Sequence, residues 1–120
     1  MVKIGIIEDS ESVAVSRYGY LNKGGYEVHI VMYNTPEEYN DTITSILQEG
    51  GFDPSRVYFD IEKLPKTDIN LCDGLEGECF KVAEKLGKDK TFINTSDEYL
   101  NKIAKEKDFK LFNKSIDLLV

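Results

Sequence analysis

Acidic, hydroxyl and ammonium side chains recur at one kind of place in this chain, directly after short runs of apolar, β-forming residues. Glu8 and Asp9 follow Lys3-Ile4-Gly5-Ile6-Ile7, and Asp60 follows Val57-Tyr58-Phe59. Thr95 and Ser96 follow Thr91-Phe92-Ile93-Asn94, and Lys114 follows Lys110-Leu111-Phe112-Asn113. If these runs are parallel strands of one α/β sheet, their carboxyl ends share an edge, and open α/β sheets bind their ligands in crevices along that edge. Carboxylates, a hydroxyl and an ammonium would then face one another in one place.

The elements that must hold these groups are legible in the spacing of apolar residues. Strand and helix signals alternate, as in βαβ units that build a parallel sheet. A first strand over residues 2–7 leads to a helix capped by Ser10 or Ser12, with Ala14, Tyr18 and Leu21 on one face and Gly24-Gly25 at its end. Residues 26–32 make the second strand. Thr35-Pro36-Glu37-Glu38 reads as a helix start with a capping box, Tyr39, Ile43, Ile46 and Leu47 supply the apolar stripe, and Gly50-Gly51 stops it. Residues 56–59 form a short third strand. A polar loop over 61–72, carrying Pro65, then leads into a helix over 73–86. The fourth strand spans 91–94, Ser96 caps the next helix, and the fifth strand spans 110–113. The expected architecture is a single α/β domain over 1–120, a five-stranded parallel sheet flanked by four helices, with the fifth helix cut to a stub after Lys114.

At 120 residues the chain can bury roughly two thirds of the surface its unfolded form exposes. The net charge of −7 is dispersed. Binding to nucleic acid draws on clustered lysine and arginine, so direct contact with DNA is not expected. The lysines between Lys102 and Lys110 alternate with Glu106 and Asp108 and read as a solvated helix face. No apolar run reaches the roughly 20 residues that span a bilayer, and Lys3 to Ile7 runs straight into Glu8 without a signal peptide pattern, so a cytoplasmic location without a membrane partner is expected. Cys72 and Cys79 lack the spacing and nearby histidine of a zinc site and are expected as free thiols. His29 sits within an apolar run and reads as a satisfied structural histidine.

Taken in order, these segments resemble the receiver domain of two-component response regulators, with a flavodoxin-like three-layer fold, over essentially the whole chain. The resemblance rests on the acidic pair Glu8-Asp9, the lone Asp60, Thr95 followed by the small Ser96, and Lys114; Asp73-Gly74-Leu75-Glu76-Gly77 is similar to the Asp-Gly segment that opens the third helix of that family. It implies that Asp60 accepts a phosphoryl group and that Glu8, Asp9 and Asp60 hold Mg²⁺, a cation that prefers hard oxygen ligands. It also implies that Lys114 and the Thr95 hydroxyl contact the phosphoryl oxygens, that Glu62 tunes hydrolysis, and that the modified state reshapes a protein-binding surface. The implied partners are a sensor histidine kinase or phosphotransfer protein on one side and a downstream protein on the other.

The chain departs from that family in carrying Ser115 where a proline normally follows the lysine, in Leu111 where an aromatic is usual, and in the long 61–72 loop. Ile116, Leu118, Leu119 and Val120 form an apolar tail in place of a full fifth helix, from which self-association through the uncovered sheet face, or a partner that completes the layer, is expected. Two other readings fit the same residues. One is a pseudo-receiver that binds proteins without being phosphorylated. The other is a Mg²⁺-dependent nucleic-acid enzyme of Toprim type, using Glu8 with Asp60 and Glu62.

Overall fold

The structure, a computed structural model, describes residues 1–112, so Lys114, Ser115 and the apolar tail at 116–120 lie outside the described residues. Among the described residues, six parallel strands pair in the order β3-β2-β1-β4-β5-β6, with four helices, an α/β flavodoxin-like arrangement. They fall into two compact units that meet in sequence between Ile69 and Asn70.

The first unit contains β1 (Lys3–Glu8), α1 (Glu11–Lys23), β2 (Glu27–Met32), α2 (Asn40–Glu49) and β3 (Val57–Tyr58). From Ile4 on, every residue of β1 is buried, as expected of a parallel strand covered on both faces. Its register on β2 pairs Ile4 with Val28, Ile6 with Ile30 and Glu8 with Met32. β3 is an edge strand that pairs with β2 through Ile30–Val57 and Val31–Tyr58. Ser10 caps α1 by accepting from the Val13 N–H, and Ala14, Tyr18 and Leu21 are buried at the helical spacing read from the sequence. Val15 presses on Gly50, where a Cβ would come within 2.7 Å of its Cγ2, so glycine lets α1 approach the end of α2.

The start of α2 differs from expectation. Pro36 is extended, at φ −60° and ψ 135°, and makes no capping bond; a 3-10 turn over Glu37–Tyr39 intervenes before α2 begins at Asn40. The capping box read at Thr35 and Glu38 is therefore not the helix start.

His29 has the structural role expected of it. Its Nε2 lies 2.7 Å from the Glu27 carboxylate and its Nδ1 lies 2.9 Å from the Tyr58 hydroxyl, tying β2 to the edge strand. The hydrogen bond to His29, aided by Lys3 and Arg56, holds the Glu27 carboxyl below its usual value of 4.5. A depressed carboxyl binds its proton less readily when folded, so its contribution is present above the ordinary carboxylate range and is lost as pH falls through the lowered value. Glu27→Gln should accordingly flatten the acid limb of the stability curve, measured by urea unfolding at stepped pH.

The second unit contains most of β4 (Ile69–Asp73), with α3 (Cys79–Leu86), β5 (Thr91–Asn94), α4 (Glu98–Glu106) and β6 (Lys110–Leu111). β4 pairs with β5 through Asn70–Thr91, Cys72–Ile93 and Asp73–Asn94, and β5 pairs with β6 through Phe92–Lys110 and Ile93–Leu111. The sequence reading placed residues 69–72 in a polar loop and expected five strands. The correction has a physical cause: the polar Asn70 in mid-strand is buried, and its amide donates to the Thr91 hydroxyl at 3.3 Å, so it costs little to place inside. Asp97, rather than Ser96, caps α4, accepting from the N–H groups of Tyr99 and Leu100.

Candidate functional site

In the first unit the acidic pair is divided by strand alternation. Glu8, the last residue of β1, is 1% exposed, whereas Asp9 faces solvent. A carboxylate taken out of water needs hydrogen-bond donors or a cation, and the Asp9 N–H supplies one donor to Glu8 Oε1 at 3.1 Å. Backbone pairing continues past the strand end, because Tyr33 N–H donates to the Glu8 carbonyl at 2.8 Å.

Asp60 is not brought to that position. It follows β3 at the sheet edge, and β2 lies between β3 and β1, so Asp60 is set apart from Glu8 and Asp9 by a whole strand. Its exposed side chain caps the 3-10 turn Ile61–Lys63 by accepting from the Glu62 N–H at 2.9 Å. Glu8 and Asp9 thus close β1 and Asp60 closes β3, with β2 between the two strand ends. An Asp that closes a short β run serves equally well as a turn cap, and only strand order distinguishes the two uses.

In the same unit the chain that leads into β4 runs beside the start of β1. The Asp68 N–H donates to the Lys3 carbonyl at 2.8 Å, and the Lys3 N–H donates to the Asp68 carboxylate at 2.7 Å.

In the second unit the residue that ends β4 is Asp73. Its Oδ2 accepts from the Leu75 N–H at 3.1 Å, and its strand neighbour on β5 is Asn94, directly before Thr95. Gly74 is packed closely: a Cβ there would lie 2.8 Å from Thr95 Oγ1 and 2.8 Å from Leu100 Cδ1. Thr95 itself is anchored at both ends, its hydroxyl accepting from the Asp97 N–H at 3.1 Å and its carbonyl accepting from the Asn101 amide at 3.1 Å. β4, β5 and the first turn of α4 thus bring a carboxylate, a glycine and a hydroxyl together.

After Gly74 the backbone makes a left-handed turn, with φ of 49° at Leu75, 54° at Glu76 and 98° at Gly77. Only glycine adopts this region without strain, and an L residue there costs about 1–2 kcal/mol. Leu75 is held by burial, being 2% exposed, but Glu76 is exposed and gains nothing comparable. Glu76→Gly should raise stability by about 0.5–1 kcal/mol in urea unfolding, a net of relieved strain over added unfolded-state entropy.

Both cysteines are buried free thiols, as expected. Burial pushes the Cys79 thiol up to about 11, so it is protonated near neutral pH and a poor nucleophile. Native protein should resist iodoacetamide at Cys79 and become alkylated only in denaturant, as read by mass spectrometry.

Thr95 and Asp73 are therefore placed together, Glu8 and Asp9 share the end of β1, Asp60 stands apart, and Lys114 lies outside the described residues. Asp73 is the residue that the sequence reading missed as a site candidate. Its signal was present in Ile69, Leu71 and Cys72 ahead of Asp73-Gly74, a short apolar run ending in an acid like the others.

The fold and the placement of acids at strand ends define a class, the flavodoxin-like α/β proteins with a receiver-type connectivity. No family model and no curated protein matches the sequence. Among solved structures the chain is similar to the crystal structure of a response regulator receiver protein from Burkholderia phymatum, with a TM-score of 0.53 and 14% identity, covering 98% of this chain and 86% of that one. At that identity the likeness is one of fold, and the chain has the receiver fold. Among the described residues no helix is long and apolar enough to cross a membrane.

Proposed function

We propose that this chain is a phospho-accepting signalling module of the receiver kind, with Asp73 as the acceptor. The observation that carries the proposal is the placement of Asp73 at the end of β4, with Gly74 pressed against Thr95. Deleting the edge strand β3 from the sheet order leaves β2-β1-β4-β5-β6, which is the flavodoxin-like order of five strands with β4 third in sequence. Asp73 then occupies the position after the third strand that the sequence reading gave to Asp60.

The carboxylates that close strands, Glu8 and Asp9 after β1 and Asp73 after β4, are the groups proposed as Mg²⁺ ligands. An all-oxygen, all-carboxylate donor set suits Mg²⁺. Bound there, the ion would neutralise charge on the phosphoryl oxygens, which otherwise repel a carboxylate nucleophile. In the proposed step an Asp73 carboxylate oxygen attacks phosphorus, the bond from phosphorus to the donor's leaving oxygen or nitrogen breaks, and the electron pair departs with the leaving group. The Thr95 hydroxyl, which accepts from the Asp97 N–H, would donate to a phosphoryl oxygen, and its movement toward that oxygen would draw on the segment that leads into α4. Lys114 is proposed as the cation that pairs with the phosphoryl group. A histidine kinase or phosphotransfer protein is the proposed donor and a downstream protein the proposed reader, with self-association through the C-terminal apolar tail as a further proposal.

Incubating the protein with Mg²⁺ and acetyl phosphate, or with beryllofluoride, tests this reading. The expected result is a Mg²⁺-dependent gain of one phosphoryl group by intact mass. No gain, with Mg²⁺ binding retained, identifies an interaction module instead.

A further inference from the structure

The chain has seven tyrosines and one histidine, and in the first unit that histidine, His29, is hydrogen-bonded to Tyr58. The direction of the bond follows from the other side of the ring. Glu27 is held below the usual carboxylate range by its hydrogen bond to His29, aided by Lys3 and Arg56, so it is ionised at neutral pH and can only accept. His29 Nε2, 2.7 Å away, therefore carries a hydrogen, which puts the lone pair of the neutral ring on Nδ1 and makes the Tyr58 hydroxyl, at 2.9 Å, the donor. A hydroxyl that donates to an imidazole whose far nitrogen is oriented by a carboxylate is the arrangement of an activated nucleophile.

We propose that Tyr58 is a nucleophilic tyrosine, a modification site that takes an acyl group from activated esters, with His29 as the general base and Glu27 as the residue that positions it. Burial holds the Tyr58 phenol above its ordinary range, opposed by the Arg56 guanidinium and reinforced by the Glu27 and Asp53 carboxylates. Phenolate is scarce near neutral pH, so the reaction runs through His29. In the step the Tyr58 oxygen attacks the acyl carbon while its proton passes to Nδ1, the bond from that carbon to the leaving oxygen breaks, and the electron pair departs with the leaving oxygen. The imidazolium so formed lies against Glu27 and is favoured by Asp53, whereas Lys3 and Arg56, 3.8 Å and 3.9 Å from the same Glu27 carboxylate, oppose it. Those two carboxylates also select the donor, because they repel an anionic phosphoryl group and leave a neutral acyl carbonyl unaffected. Tyr58 is half-buried on the edge strand β3, where a small reagent reaches it from solvent.

Full-length protein treated with p-nitrophenyl acetate, digested and mapped by mass spectrometry, tests the proposal, with the exposed Tyr20, Tyr39 and Tyr99 as standards in the same sample. Tyr58 should be acetylated at least about tenfold faster than any of the three although it is less exposed, because a general base contributes about 10²–10⁴-fold. His29→Gln should remove that advantage and leave the standards unchanged. Glu27→Gln should also slow Tyr58, by at least about tenfold, since a carboxamide can turn its N–H toward Nε2 and reverse the tautomer. In the unaltered protein the Tyr58 rate should level off over about pH 5–8, the range in which histidine changes charge, while the standards go on rising toward phenol ionisation near about pH 10. A Tyr58 no faster than the standards, an unchanged Tyr58 rate in either variant, or a Tyr58 profile that climbs with the standards would overturn the proposal, and the profile of the unaltered protein decides where a variant does not fold.

Discussion

Asp73→Asn loses phosphoryl uptake from acetyl phosphate, while Asp60→Asn retains it to within about twofold. That is the expected outcome of a paired experiment, and it separates Asp73 from Asp60, the aspartate to which the sequence resemblance points. Asparagine matches aspartate in size, and the carboxamide oxygen that replaces the Asp73 carboxylate can still accept the Leu75 N–H, so the turn after β4 should survive the change. What disappears is the anionic oxygen proposed to attack phosphorus, because a carboxamide is a poor nucleophile. Asp60→Asn alters a turn cap at the sheet edge, whose asparagine replacement also caps well, so the fold and the proposed acceptor are both preserved. Uptake that vanishes in Asp60→Asn and persists in Asp73→Asn would return the acceptor role to Asp60. Mg²⁺ affinity, followed by isothermal calorimetry, provides a second readout: it should fall in Glu8→Gln and Asp73→Asn and hold in Asp60→Asn.

Leu71→Ala should destabilise the protein by about 2–5 kcal/mol, a large share of the total stability of a domain this size. Leu71 lies in the middle of β4, is fully buried and pairs with Phe92 on β5. Removing its branched side chain deletes apolar surface and leaves a cavity that a paired strand cannot close by moving. The experiment also discriminates between architectures, because a leucine in a solvated 61–72 loop would cost under about 0.5 kcal/mol to truncate. A urea midpoint that barely moves would show that residues 69–73 are not a core strand. Coupled to the first experiment, it asks whether the strand that carries Asp73 is the one that the sheet depends on.

The clearest parts of the fold in the sequence were those where a local pattern is reinforced by packing. The run Ile4-Gly5-Ile6-Ile7 is apolar throughout because β1 is buried on both faces, and Ala14, Tyr18 and Leu21 recur at helical spacing because α1 buries one side. β4 escaped because its pattern is broken by Asn70, whose burial is compensated by Thr91, a residue about twenty positions away that no local window relates to it. The helix start at Thr35 failed for a similar reason. Pro36 permits both a helical first position and an extended one, and the chain takes the extended one before the 3-10 turn.

From its own order of residues this chain determined an alternating α/β protein with acids and hydroxyls at strand ends, since hydrophobic periodicity and turn residues act over a few positions. Which aspartate belongs to which strand position was decided only by tertiary structure. Strand order is a long-range choice, made by pairing partners such as Val57 on Ile30 and Asn70 on Thr91. It placed Asp60 at an edge turn and set the end of β4, with Asp73 and Gly74, beside the end of β5 that leads to Thr95, because backbone hydrogen bonds and burial, rather than nearest neighbours in sequence, choose which strand ends lie side by side.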